Sequence, residues 1–142
     1  MRNPVLQSTS IQGHKIALYL RTASEEQGDS PNSLKAQEKA LRNLVRSRNR
    51  RSQFGQIVGR FADSACSGMD CNRPGLKALL ESVKHKEVDL ILVTDVTRLS
   101  RSMKLLVDIM TTIGVNQCRL ETCISHIPLG MVVDFSQGWG RK

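Results

Sequence analysis

The feature that most restricts the fold of this chain is a pair of short apolar runs, Lys15 to Leu20 (KIALYL) and Val88 to Val93 (VDLILV). A strand with one wet face alternates apolar and polar residues, so a run that stays apolar needs cover on both faces. Amphipathic segments supply that cover. After Ser33, a good N-cap, Leu34, Gln37, Leu41, Leu44 and Val45 recur at three- and four-residue steps, with Lys35, Glu38, Lys39 and Arg42 on the other side. The basic run Arg46 to Arg51 is expected to end that helix as a solvated turn or a phosphate-contacting patch. A second strand is predicted at Gln56 to Ala62. Pro74 then opens a helix with Leu76, Leu79, Leu80 and Val83 on its apolar stripe. A third helix runs from Met103 to Ile113 and is ended by Gly114, and a weaker strand lies near Gln117 to Cys123. The segments Ser24 to Asn32 and Asp63 to Asn72 are rich in turn-forming and small residues and read as loops. Strands alternating with helices predict a single α/β domain: a mostly parallel central sheet with helices on both faces, binding its ligand at the carboxyl ends of the strands.

Charge points to the kind of ligand. Lysine and arginine outnumber acids 21 to 13, for a formal net charge of +8. That balance suits a protein that meets a polyanion, and nucleic acid is the leading partner. No apolar run approaches the roughly 20 residues of a membrane span, and the polar first residues do not resemble a secretory signal. A cytoplasmic location without membrane association is expected. The cysteines fall as Cys66 with Cys71 and Cys118 with Cys123, both C-x4-C. Four-cysteine zinc sites usually have tighter spacing, so reduced thiols are expected rather than a metal site. His14, His85 and His126 sit in unrelated contexts.

The predicted strand ends collect one kind of chemistry. Arg21, Ala23, Ser24 and Gln27 follow the first strand, Asp63 the second, and Arg98 and Arg101 the third, while Arg73 opens the second helix. Arginine offers phosphate paired donors in a planar fork and stays charged. Four of them could stabilise the extra charge of a pentacovalent phosphorus transition state. Arg98 and Arg101, three residues apart, could face one phosphate from a single helical turn. Each residue also has a plainer role, since R-x-x-R pairs are common on wet helix faces and Asp63 could simply start a turn or pair with an arginine. A nucleotide-binding regulator is disfavoured, because no G-x-G-x-x-G or G-x-x-x-x-G-K-[ST] follows any predicted strand.

Four blocks, in order, resemble the serine recombinases of the resolvase/invertase family. YLRTASEEQ (Tyr19 to Gln27) resembles Y-x-R-x-S-T-x-x-Q, and SLKAQ (Ser33 to Gln37) resembles S-L-x-x-Q. NRPGLKALL (Asn72 to Leu80) is similar to the R-P-G-L helix start, and VDLILVTDVTRLSRS (Val88 to Ser102) to D-x-x-x-V-x-x-x-x-R-L-x-R. The resemblance implies a resolvase-like three-layer fold and attack of a serine hydroxyl on a DNA phosphodiester. A 5′-phosphoserine link and a free 3′-hydroxyl result, and strands exchange between homodimers joined in a synaptic tetramer. It implies no metal or nucleotide cofactor. Carried over by position, Arg21, Arg98 and Arg101 bind the scissile phosphate, with Gln27, Gln37, Asp63 and Arg73 assisting. The implied organisation is a polar extension over 1–14, a catalytic domain over 15–127, and over 128–142 the start of a long dimerisation helix with a fraying tail. A separate DNA-binding domain is expected to lie outside this chain.

The sequence departs from the pattern at two places. Thr97 stands where many small resolvases have aspartate, with Asp95 two positions earlier, as in many large serine recombinases. Ala23 stands where the family places its nucleophilic serine. Three readings follow: Ser24 supplies the hydroxyl from one residue along, a natural homologue has lost cleavage, or the alanine was introduced to hold an uncleaved state. The rival of a different class is a catalytically inactive DNA-binding or dimerisation module on the recombinase scaffold.

Overall fold

The computed structural model describes residues 13–22, 33–64 and 73–123. Within them lie β1 (His14–Arg21), α1 (Leu34–Asn49), β2 (Gly55–Asp63), α2 (Pro74–Lys84), β3 (Leu90–Val93), α3 (Met103–Val115) and β4 (Arg119–Thr122). A short 3-10 turn, Val96–Arg98, follows β3. All the strand pairs are parallel, in the order β2-β1-β3-β4. The apolar runs lie in the two central strands, and their alternate side chains feed two cores. Ile16, Leu18, Leu20, Leu90 and Leu92 meet Leu41 and Val45 of α1. Ala17, Tyr19, Ile91 and Val93 meet Leu76, Leu79 and Val83 of α2 and Ile109 and Ile113 of α3.

Crossover handedness explains this division. From β1 the chain steps one way to β2 through α1, then the other way to β3 and β4 through α2 and α3. Right-handed crossovers therefore place α1 on one face and α2 and α3 on the other. Edge strand β2 carries a bulge, since Ile16 pairs with Ile57 but Ala17 with Gly59, and the skipped Val58 is exposed. No described helix is long and apolar enough to cross a membrane.

The caps follow local chemistry, with one correction at the end of α3. Ser33 accepts a hydrogen bond from the Ala36 amide at 3.1 Å, and Pro74 occupies the first turn of α2. The basic run does end α1, with Arg46 and Arg48 in its last turn, Asn49 its last residue and Arg50 the cap. Half-buried Arg48 reaches to within 2.8 Å of Glu121 and over the ring of Phe54, while Arg46, Arg50 and Arg51 stay exposed. Gly114 does not end α3, which runs on to Val115; the left-handed residue that turns the chain into β4 is Gln117, at φ 61°.

Candidate active site

The sheet reverses its direction of winding between β1 and β3, and the carboxyl ends of two such neighbouring strands diverge to leave a crevice. Arg21 is the last residue of β1, and the 3-10 turn carrying Arg98 follows β3. Arg21 is 1% exposed, yet it carries a guanidinium. Its Nε donates to the Arg98 carbonyl at 2.8 Å and its Nη2 to the Thr97 carbonyl. Arg98 Nη1 donates back to the Arg21 carbonyl at 3.1 Å. The two arginines thus clasp each other's backbones across the crevice. The Asp95 carboxylate accepts from the Thr97 amide at 3.0 Å, which forms the turn, and lies 3.6 Å from Arg98 Nε.

From the other face, Gln37 of α1 grips the Arg21 peptide at both ends. Its Oε1 accepts from the Arg21 amide at 3.2 Å and its Nε2 donates to the Arg21 carbonyl at 3.0 Å. This matched pair explains why a glutamine is buried at 1% exposure on the inward side of the helix.

Asp63 organises a third part of the site. Its carboxylate accepts from the Gly75 amide at 2.7 Å and the Leu76 amide at 2.9 Å, capping α2 from the end of β2. The ordinary cap position holds Arg73, whose side chain caps nothing and whose backbone is left-handed at φ 47°. Tyr19, of β1, donates its hydroxyl to Asp63 at 2.7 Å, and Arg73 Nη2 donates to the Tyr19 oxygen at 2.9 Å and to the Arg98 carbonyl at 3.0 Å. Burial first, and the bond to Asp63 second, push the Tyr19 phenol well above its ordinary range. The Y-x-R spacing placed Tyr19 one strand repeat before Arg21, on the same sheet face, but no sequence signal gave it this partner.

Arg73 is 4% exposed, and its Nε and Nη1 are buried without a hydrogen-bond partner. Burial first, and then the neighbouring Arg73, lower the pKa of Arg21, with Arg101 and Arg98 adding to the effect. Asp63 is the sole buried carboxylate among the described residues. Several guanidinium groups therefore share a crevice whose one buried acid is already committed to capping a helix, with Asp95 beside Arg98 at its more exposed rim. An unpaired buried donor costs about 1–3 kcal/mol, and more when charged, so the arrangement suits an anion.

Of the residues singled out by sequence, Arg21, Gln37, Asp63, Arg73 and Arg98 converge here. Arg101 is exposed and stands beyond the 3-10 turn, before the Ser102 cap of α3. The expectation that Arg98 and Arg101 share one helical turn is thereby corrected. Ala23, Ser24 and Gln27 lie outside the described residues, as do Cys66, Cys71, His126 and the segment 128–142. Cys118 and Cys123 are free and belong to opposite faces of the sheet.

Comparison with known proteins brings a family and a fold. The family described as Resolvase, N terminal domain, matches residues 16–130. The N-terminal catalytic domain of TP901-1 integrase superposes with a TM-score of 0.70 at 22% identity, over 87% of this chain and 84% of that one. The C-terminal catalytic domain of ISC1926 TnpA, an IS607-like serine recombinase, gives 0.62 at 25% identity, over 76% and 68%. A resolvase family site-specific recombinase from Streptococcus pneumoniae gives 0.62 at 20% identity, over 87% and 83%.

Proposed function

The chain belongs to the resolvase N-terminal domain family, and from that premise we propose that it acts on DNA phosphodiesters as the catalytic domain of a site-specific recombinase. The observation that carries this reading is Arg73, buried and strained, with two donors unpaired beside the guanidinium of Arg21. A scissile phosphate would offer the missing acceptors and disperse the like charge.

In this reading Arg98 and Arg101 meet the phosphate from the β3 side, Arg21 and Arg73 from beneath, and Gln27 assists. Gln37 and Asp63 are positioning residues, one holding the Arg21 peptide and the other the start of α2. The hydroxyl of Ser24 attacks phosphorus and gives up its proton as its oxygen bonds to the 5′ phosphate, while the bond from phosphorus to the 3′ oxygen breaks and that oxygen leaves with a proton as the 3′ hydroxyl. Exchange takes place between dimers joined as a tetramer.

Ala23 supports the second reading, a scaffold that binds DNA and assembles without cutting it. A nicked suicide duplex separates the two. Covalent protein–DNA adduct that is lost in Ser24→Ala supports cleavage through Ser24. Adduct that persists in that variant rules Ser24 out. If only Ala23→Ser yields adduct, the chain with alanine at position 23 is the non-cleaving form.

A further inference from the structure

The outer face of α1 carries a row of cations that the arginine crevice does not use. Lys35, Lys39, Arg46 and Arg50 are all exposed, with exposed Asn43 between them. At 3.6 residues per turn these positions fall within an arc of about 80°, and the row is about 22 Å long. No ion pair among the described residues involves any of the four. The nearby acids are occupied elsewhere: Glu38 pairs with Arg42 and Arg60, and Glu121 with Arg48 and Arg119.

Helix electrostatics account for only half of the row. Arg46 and Arg50 sit at the C-terminal end, where cations are favoured, but Lys35 lies in the first turn, which contains no acid at all. Like charges four apart, as in Lys35 with Lys39 and Arg46 with Arg50, oppose helix formation. The far end is built rather than loose. The Asn49 side chain accepts from the amides of Phe54 and Gly55 and donates to the Gly55 carbonyl, which pins the turn holding Arg50. The near end lies at the same carboxyl edge of the sheet as the crevice, because Gln37, on the opposite, buried side of the first turns of α1, is bonded to Arg21.

We propose that this outer face of α1 is a second DNA-backbone contact, a phosphate track running from the arginine crevice across the domain. The assignment rests on the DNA-directed reading given above. Duplex DNA is favoured over a membrane because a bilayer contact needs an apolar face beside the cations. Among the described residues, the exposed large apolar side chains are Val58, Met103, Val107 and Val115, none of them on α1. The contact is independent of sequence, as phosphate contacts are.

The test uses the 142-residue chain and a labelled 30-bp duplex of arbitrary sequence, titrated from 50 to 200 mM KCl. Changing Lys35, Lys39, Arg46 and Arg50 together to glutamine should flatten the plot of log K against log salt by about 3–4. At 50 mM salt, binding should weaken at least tenfold. Circular dichroism should stay unchanged, and Lys35→Arg with Lys39→Arg should bind like the parent. If the parent binds and the fourfold variant has the same slope, the track is refuted while the recombinase reading stands, and Arg98→Gln should then carry the loss. A parent that binds no DNA at any salt overturns the track, while the recombinase reading is decided separately by covalent adduct on the suicide duplex. Binding to phosphatidylserine vesicles that requires the four cations, with DNA binding unaffected, would reassign the face to a membrane.

Discussion

Tyr19 shows how one side chain couples three elements. It sits in β1, donates to Asp63 at the end of β2, and accepts from Arg73 at the start of α2. Its raised pKa keeps the phenol protonated, so it serves as a donor to Asp63 throughout the neutral range. Tyr19→Phe keeps the ring and deletes both bonds. Chemical denaturation should show a loss of about 1–3 kcal/mol, because both partners remain buried. If adduct forms in the parent, its yield should fall further than this destabilisation explains, since Arg73 keeps its bond to the Arg98 carbonyl but loses the one to Tyr19 that helps orient it. An unchanged adduct rate in a destabilised variant would limit Tyr19 to a structural role.

Among the elements, α2 depends most on close approach. Its first turn lies against β2 so tightly that a Cβ on Gly75 would stand 2.5 Å from the Ala62 carbonyl oxygen, and the obstacle is backbone. Gly75 also presents its amide to Asp63, so shifting the helix to relieve the clash would loosen that cap. Gly75→Ala, a change that favours helices in isolation, should therefore destabilise the protein by about 1–3 kcal/mol, read as a lower denaturation midpoint. Gain of stability would mean that α2 moves freely on the sheet.

Across the described residues, the sheet separates two cores, and a free cysteine lies on each side of it. Cys118 packs in the core under α2 and α3, and burial first pushes its thiol up to about 12. Cys123 lies on the α1 face, half-buried, and burial raises its pKa as well. The thiolate is the nucleophile, so native protein at pH 8 should alkylate slowly at both sites, and more slowly at Cys118. Peptide mapping after iodoacetamide treatment should show Cys123 modified before Cys118, which should react only as the domain unfolds. Equal native rates would mean that the α3 core opens on the labelling timescale.

Composition and periodicity suffice for the α/β order, because a run such as KIALYL can be satisfied only inside a covered sheet and because the apolar stripes of α1 and α2 recur at helical steps. The arginines were legible too, since each follows a strand or opens a helix, and that placement alone sends it to the carboxyl edge. What periodicity could not reveal is partnership. Gln37 and Asp63 read as groups for the ligand, and their amide and carboxylate are taken up by the peptide of Arg21 and the first amides of α2. Arg73 read as one cation among four, but only the packed structure leaves two of its donors buried and unmatched. Patterns along a chain carry burial and direction, which are local properties of strands and helices. Which polar atoms meet, and which are left wanting an anion, depends on side chains brought together from distant positions, and tertiary packing alone decides that.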